Sequence, residues 1–257
     1  PPARCARVAV PLAPEAESPY ILPIRRAFGH GRNVLFGASM DFTKQTYCNQ
    51  VASYIRTLIR EGKLEIGAQI KEASLAEQLG ISRAPIREAL QTLVQEGLIT
   101  SEPQKGKYVR QMSSKEIYDS YAVAGILEGA GVASSLSLWT EQDMEKFKDV
   151  ARQMKEKISY ATLPGELAEI DDLFHTTLLS ACNNTRLVEM ARTSCATISK
   201  YLYYQHWITM FTPKEFSDRH LTIAEAVYSL DGEHVESVLR EHYKETGLRM
   251  AQFGKAE

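Results

Sequence analysis

Two groups of residues in this chain have the types and the spacing to do chemistry. Asp171 and His175 are four apart within the apolar pattern Leu167, Ile170, Phe174, Leu178 and Leu179, so on a helix both side chains project from one face. His220 stands eleven residues before Asp231 and His242 eleven after it. If Asp231-Gly232 is the bend of an antiparallel helical hairpin, the two imidazoles lie level with each other, about 16 Å from the turn. One carboxylate and three imidazoles meeting inside a bundle suit a divalent transition metal such as Zn, Ni, Mn or Fe, with coordination positions left open for water or a ligand oxygen. A lone histidine is more often a hydrogen-bonded core or surface residue, and the matched offsets lift these three only moderately above that reading. Asp172, three residues before His175, is an alternative ligand that the helical pattern turns towards solvent.

The second group is basic. Arg83 and Arg87, also four apart, project together from the start of a short helix, where arginine can grip guanine O6 and N7 in a fork or hold phosphates. Lys105, Lys107 and Arg110 add phosphate or minor-groove contacts from a neighbouring hairpin, and Ser82 with the helix N-terminus is a phosphate holder. An isolated arginine pair on an exposed helix face usually does no more than solvate it. The elements around this pair decide against that reading.

Those elements follow from period and punctuation. Val51, Tyr54, Ile55, Leu58 and Ile59 form one amphipathic helix, stopped by Gly62. Residues 74–79 form a short helix ended by Gly80, and a third runs from Ser82 as N-cap through Pro85, Ile86, Leu90, Leu93 and Val94 to Gly97. Two short helices across a tight Gly80-Ile81 turn make a helix-turn-helix. Leu98 to Thr100 and Lys107 to Arg110 flank a basic, glycine-bearing tip and read as a hairpin, which completes a winged helix with Arg83 and Arg87 at its recognition position. From Ser113, with Glu116 as its capping-box partner, everything is helical by period: 114–137, 140–158, 163–182, 185–210, 213–230 and 232–252. The expected fold class is therefore mainly α, a winged helix-turn-helix with a small β-hairpin followed by an all-α bundle. The expected division is 1–40 as a disordered or non-native extension, 41–111 as the winged helix-turn-helix, and 112–257 as the all-helical domain.

Composition bounds the rest. With 257 residues, 44% hydrophobic and 24% charged, the chain has the balance of an ordinary globular protein, which excludes collagen-like, low-complexity and disulfide-scaffold classes. No stretch approaches the roughly 18 uninterrupted apolar residues of a membrane span, so no membrane partner is expected. Four cysteines without a C-x-x-C pair read as free thiols in a reducing compartment, the cytoplasm. Residues 1–39 hold six of the ten prolines and five arginines against two glutamates, a net +3. Residues 41–111 carry +2 and residues 112–257 carry −7, so a polyanion meets the N-terminal half. One small winged helix offers limited contact, and a homodimer reading a palindromic double-stranded operator is expected.

The run from Ala73 to Leu90, followed by Leu93 to Leu98 and Gly106, closely resembles the DNA-binding domain of the GntR family of bacterial transcription regulators over about residues 45–111. The resemblance implies that Arg83, Arg87 and Gly106 occupy positions used on operator DNA. Ala73 departs from members that place another DNA-contacting arginine there. Asp171-Asp172-Leu173-Phe174-His175, then Asn184, then Arg219-His220-Leu221-Thr222-Ile223, then Glu241-His242, resemble the FadR C-terminal ligand-binding (FCD) domain in its metal-binding branch. That likeness covers about residues 114–252. It implies a bundle of six or seven helices with an internal cavity, a metal held by Asp171, His175, His220 and His242, and a small organic acid effector completing the shell.

Many of these relatives carry an arginine four residues before the glutamate that corresponds to Glu128, where this chain has Ala124. The clamp for an effector carboxylate is then missing or supplied from elsewhere, with Arg192 and Lys200 as candidates beside Asn184. Tyr201 belongs to an aromatic cluster that either lines the cavity or, as is commoner for aromatics at helical spacing, forms core or dimer interface. A metalloenzyme using the Asp/His₃ site is the competing class, but no nucleophile or general base stands at a recognisable spacing. A purely structural metal is the third reading.

Overall fold

The computed structural model describes residues 47–160 and 165–256; the expected extension, 1–40, lies outside them. Helix α1 (Tyr47–Arg60) buries the stripe Val51, Ile55 and Ile59. Helices α2 (Glu72–Leu79) and α3 (Arg83–Gln95) are joined through Gly80, whose φ of 65° is the left-handed conformation that lets α2 end in so short a turn. Ile86, Leu90 and Leu93 of α3 are fully buried beneath the exposed arginine face. Ser82 occupies the N-cap position, but its side chain makes no capping hydrogen bond.

The hairpin forms as expected from β2 (Ile99–Glu102) and β3 (Gly106–Val109), which pair antiparallel with Thr100 opposite Tyr108. A third strand, β1 (Gln69–Ile70), pairs on the other edge of β3, with Ile70 opposite Lys107. Two residues are too few to show a period, so β1 was invisible in the sequence. Its pairing nevertheless fixes where α2 begins relative to the wing.

The remainder is helical: α4 (Ser114–Ser135), α5 (Glu141–Tyr160), α6 (Gly165–Leu178), α7 (Thr185–Ser194), α8 (Tyr204–Trp207), α9 (Pro213–Tyr228) and α10 (Gly232–Ala251). The Ser113–Glu116 capping box starts α4, a second box of Thr212 and Glu215 starts α9, and Asp231 caps α10 as the bend of the α9–α10 hairpin. Helix α4 packs along α10 through backbone-level contacts. A Cβ at Gly125 would sit 2.8 Å from the Tyr243 Cβ, and one at Gly247 would sit 2.8 Å from the Tyr121 Cβ. By length and composition α4 with its following turn is long and apolar enough to cross a membrane, with a mean hydropathy of 1.3 over its best window, although Glu128 interrupts its apolar run as the sequence leads one to expect. Half of that window is buried inside the protein, which makes α4 a core helix.

The expected long helix 185–210 is not formed. After Ser194 the chain passes through a π-helical segment, Ile198–Leu202, in which the Tyr203 amide donates to the Ile198 carbonyl at 2.9 Å, and only then re-forms the short α8. A π turn takes in one residue more than an α turn and so rotates the faces of everything after it. Here the rotation buries Ile198, Leu202 and Tyr203 in a core that includes the winged-helix interior. A second core, around Phe147, Phe174, Ile223, Val227 and Leu239, holds the rest of the bundle.

Candidate metal centre and nucleic-acid interface

Helix α6 presents Asp171 and His175 from one face, α9 presents His220, and α10 presents His242. One ring nitrogen from each histidine lies within 4.8 Å of the others, and the ring centroids are 5.0 to 5.5 Å apart. Asp171 joins them, its Oδ1 2.9 Å from His220 Nε2 and 3.8 Å from His175 Nε2. The four residues expected to converge do so. Asp172 instead pairs with Lys200 at the surface.

The hydrogen bonds behind the cluster orient it. His220 Nδ1 lies 2.7 Å from the Phe216 carbonyl, which only accepts. His220 Nε2 lies 2.9 Å from Asp171 Oδ1, so an acceptor stands against each of its ring nitrogens. His175 Nδ1 lies 2.6 Å from Glu128 Oε1, and the other Glu128 oxygen accepts from the Tyr243 hydroxyl at 2.8 Å. A carboxylate behind a histidine fixes its tautomer and raises its basicity as a ligand. His242 Nδ1 is buried with no hydrogen-bond partner among the described residues. A buried ring nitrogen left bare in this way, beside two more imidazoles and a carboxylate, fits a divalent transition metal.

Burial alone would depress His175, but the Glu128 carboxylate against it pushes its pKa up to about 9. Burial pulls His242 well below the ordinary histidine value, helped by the neighbouring His220 and His175. Burial works to raise Asp171, yet the His220 hydrogen bond and the His175 charge leave it lowered overall. The centre opens into a cavity of about 60 Å³ that Tyr121, Cys195, Ser199, Trp207 and Arg219 also line.

The expected effector residues lie elsewhere: Asn184, Arg192, Lys200 and Tyr201 are not among the residues lining this cavity. Asn184 caps α7, its side chain accepting from the Leu187 amide at 3.1 Å. Arg192 is exposed, Lys200 is paired with Asp172, and Tyr201 packs partly buried on the N-terminal core. For Lys200 and Tyr201 the π segment is the physical reason, because both lie within it and its wider turn leaves Ser199 on the cavity side; Asn184 and Arg192 precede it, on the cap and the exposed face of α7. The cation at the cavity is Arg219, which donates to the His242 carbonyl at 2.8 Å and to Thr246 Oγ1 at 2.7 Å and pairs with Glu245. Burial, together with the neighbouring Arg249, brings the Arg219 pKa down to about 10. Glu128 was legible as a lone charge in the otherwise apolar middle of α4; Arg219 had only its adjacency to His220 to mark it.

On the winged helix, Arg83 is exposed at the start of α3 and makes no ion pair among the described residues, while the Arg87 side chain is 68% exposed. Gly106 opens β3 with a φ of 116°, and a Cβ there would meet the Gln69 amide at 3.2 Å. The wing cations are less free than expected. Lys105 pairs with Glu102 at 3.3 Å, Lys107 with Glu72 at 3.0 Å, and Arg110 with Glu116 at 2.9 Å. Lys107 is only 17% exposed. The described cysteines, Cys48, Cys182 and Cys195, are free thiols.

A winged helix-turn-helix ahead of an all-helical body with a histidine-lined cavity is the architecture of a transcription regulator with a ligand-binding domain. Comparison with known proteins gives the family: residues 48–109 match the bacterial regulatory proteins of the gntR family, and residues 119–245 match the FCD domain. The chain is 34% identical over 130 residues to an HTH-type transcriptional regulator from the TAR-I ttuE-ttuC' intergenic region of Agrobacterium vitis, covering 49% of this chain and 75% of that protein. It is 29% identical over 157 residues to the Nta operon transcriptional regulator of Aminobacter aminovorans, covering 61% and 72%. In fold it is similar to E. coli McbR/YncC, with a TM-score of 0.61 at 21% identity, covering 81% of this chain and 98% of that one. The chain belongs to the GntR family and carries an FCD domain; it is a transcriptional regulator and not an enzyme.

Proposed function

We propose that the protein is a ligand-responsive regulator that binds a palindromic operator as a homodimer in the cytoplasm. In this reading residues 41–111 read DNA, with Arg83, Arg87, Ser82, Gly106, Lys105 and Lys107 at the interface, and residues 112–257 bind the effector and dimerise. Asp171, His175, His220 and His242 hold a divalent transition metal, and a small organic acid completes its shell. When bound, the metal supplies a positive charge that captures a carboxylate oxygen. Glu128 and the Phe216 carbonyl hold two of the imidazoles by Nδ1, leaving Nε2 on the side of Asp171, and Arg219 lies beside the cavity as a second positive charge.

The observation that carries this reading is the convergence of three histidines and an aspartate from three helices on one small buried cavity, in a chain whose other half is a DNA reader. Regulation then requires that the acid bind the DNA-competent and the incompetent conformations unequally.

The test is selection of genomic fragments by purified protein at moderate salt, with and without divalent metal and small organic acids, repeated with Arg87→Ala. Enrichment of a short palindrome that the variant loses, and that an added acid modulates, supports the whole reading. Enrichment that metal and acids leave unchanged reduces the metal to a structural part. No enrichment in any arm overturns the reading.

A further inference from the structure

We infer that Glu72 is the positioning residue of the DNA-reading surface: it holds Arg87 by one edge of the guanidinium so that the other edge is presented to a guanine, and it gives selectivity at the expense of general affinity for DNA. The inference rests on the DNA-binding reading above and goes beyond it by assigning a role to an acidic residue inside a basic surface.

Glu72 is the first residue of α2, three-quarters buried among cations from two other elements. Its Oε2 accepts from Arg87 Nε at 3.3 Å and Nη2 at 3.4 Å, and its Oε1 accepts from Lys107 Nζ at 3.0 Å. One carboxylate therefore ties the first helix of the motif to the recognition helix and to the wing. Strand β1 makes this possible, since pairing Ile70 with Lys107 brings the start of α2 beside β3.

A guanidinium has two edges that can each engage a pair of acceptors, Nε with Nη2 and Nη1 with Nη2. Glu72 takes the first. The second keeps both Nη1 hydrogens and one on Nη2, which is the fork that matches guanine O6 and N7, and the Arg87 side chain is 68% exposed to offer it. An unsupported arginine would have to surrender its rotamer freedom on binding and could as readily swing to a phosphate. The same carboxylate repels the phosphate backbone and occupies Lys107, whose 17% exposure shows its ammonium engaged within the protein. The Lys107 hydrogen bond also keeps Glu72 below the ordinary glutamate range, so it is ionised at neutral pH.

The two consequences have opposite signs, which makes the role measurable. The full-length chain and its Glu72→Gln, Arg87→Ala and double variants are each used to select from a random-sequence duplex pool. Their affinities are then compared on the wild-type-selected duplex and on a scrambled one across a range of salt. We expect Glu72→Gln to bind the scrambled duplex several-fold more tightly, with a salt slope steeper by about one phosphate contact as Lys107 and Arg87 are released. Its preference for the selected over the scrambled duplex should fall about tenfold, with loss of the same guanine that Arg87→Ala loses. In the Arg87→Ala background the change should remove no further preference, because Glu72 acts through Arg87. Glu72→Asp, which keeps the charge but shortens the reach, should lose preference without gaining non-specific affinity.

A Glu72→Gln protein that keeps the wild-type guanine preference within twofold overturns the inference alone. So does an equal loss of preference in the Arg87→Ala background, which would mean that Glu72 contacts a base itself. A wild-type protein that selects no sequence overturns the regulator reading together with this one.

Discussion

The Tyr203 hydroxyl grips the backbone of Met112 from both sides, accepting from its amide at 3.1 Å and donating to its carbonyl at 3.4 Å. Met112 is the joint between the wing and α4, and the Lys255 amide donates to the same carbonyl at 2.9 Å. Tyr203 directly follows the π segment, in a stretch that reaches two ways. Cys195 and Ser199 line the histidine cavity, while Gln205 donates to the Arg60 carbonyl at 2.8 Å and Thr197 reaches the Glu96 carbonyl. The stretch from Cys195 to Trp207 thus touches both the proposed effector cavity and the DNA reader.

Tyr203→Phe keeps the ring and leaves the buried Met112 amide without its acceptor. An unsatisfied buried donor costs about 1–3 kcal/mol, so urea unfolding should show a loss of that size. Hydrogen exchange at the Met112 amide should quicken in the same variant. Unchanged protection there would mean that the Tyr203 hydroxyl does not hold the Met112 amide.

Protein stripped with a chelator and then supplied with Zn, Ni or Mn should melt higher. Metal at a hundredfold excess over its dissociation constant adds about 2.7 kcal/mol, which for a chain of this size is a rise of several degrees. Asp171→Asn and His220→Ala should each abolish the rise, read by differential scanning calorimetry alongside metal content. A rise that survives in both variants would place the metal elsewhere.

Glu128→Gln tests the carboxylate behind His175. The amide cannot hold the histidine proton as a charged partner does, and metal affinity should fall about 10- to 100-fold with the ligands themselves intact. Competition against a chromophoric chelator measures this directly, and equal affinity would reduce Glu128 to a hydrogen-bond partner of Tyr243.

Gly125→Ala tests how closely α4 must approach α10. The added methyl would lie 2.8 Å from the Tyr243 Cβ and 3.3 Å from the Arg240 Cα, so backbone has to move. Overpacking of this kind costs about 1–3 kcal/mol, measurable as a lowered urea midpoint. Since Tyr243 supports Glu128, metal affinity should weaken with it.

The capping box at the start of α4 gives a pH dependence. The Ser113 amide, donating to Glu116 at 2.7 Å, holds that carboxyl below the ordinary value of 4.5. A group depressed in the folded state stabilises above its unfolded pKa, and the contribution is lost as the pH falls through the lower folded value. Glu116→Gln should therefore flatten the acid limb of stability below about pH 4.5, whereas Ser113→Ala should cost about 1 kcal/mol across the neutral range. Parallel acid limbs in wild type and Glu116→Gln would rule the box out as their source.

Much of this protein was written locally. The α2–α3 turn at Gly80, the arginine face of α3 and the caps at Ser113, Thr212 and Asp231 are set by residues within a few positions of each other. So is the Asp171–His175 pair, and the equal spacing of His220 and His242 about Asp231 needed only a straight hairpin to bring them level. What the tertiary structure decided involves residues far apart in the chain. Glu128 meets His175 across 47 positions, Arg219 meets Thr246 across 27, and Lys107 meets Glu72 across 35 through a strand too short to show a period. The break after Ser194 belongs with these. Residues 195–207 carry an apolar pattern compatible with continued helix, and the π turn is settled by burying Ile198, Leu202 and Tyr203 against the winged-helix core, a long-range packing gain that outweighs local helical preference.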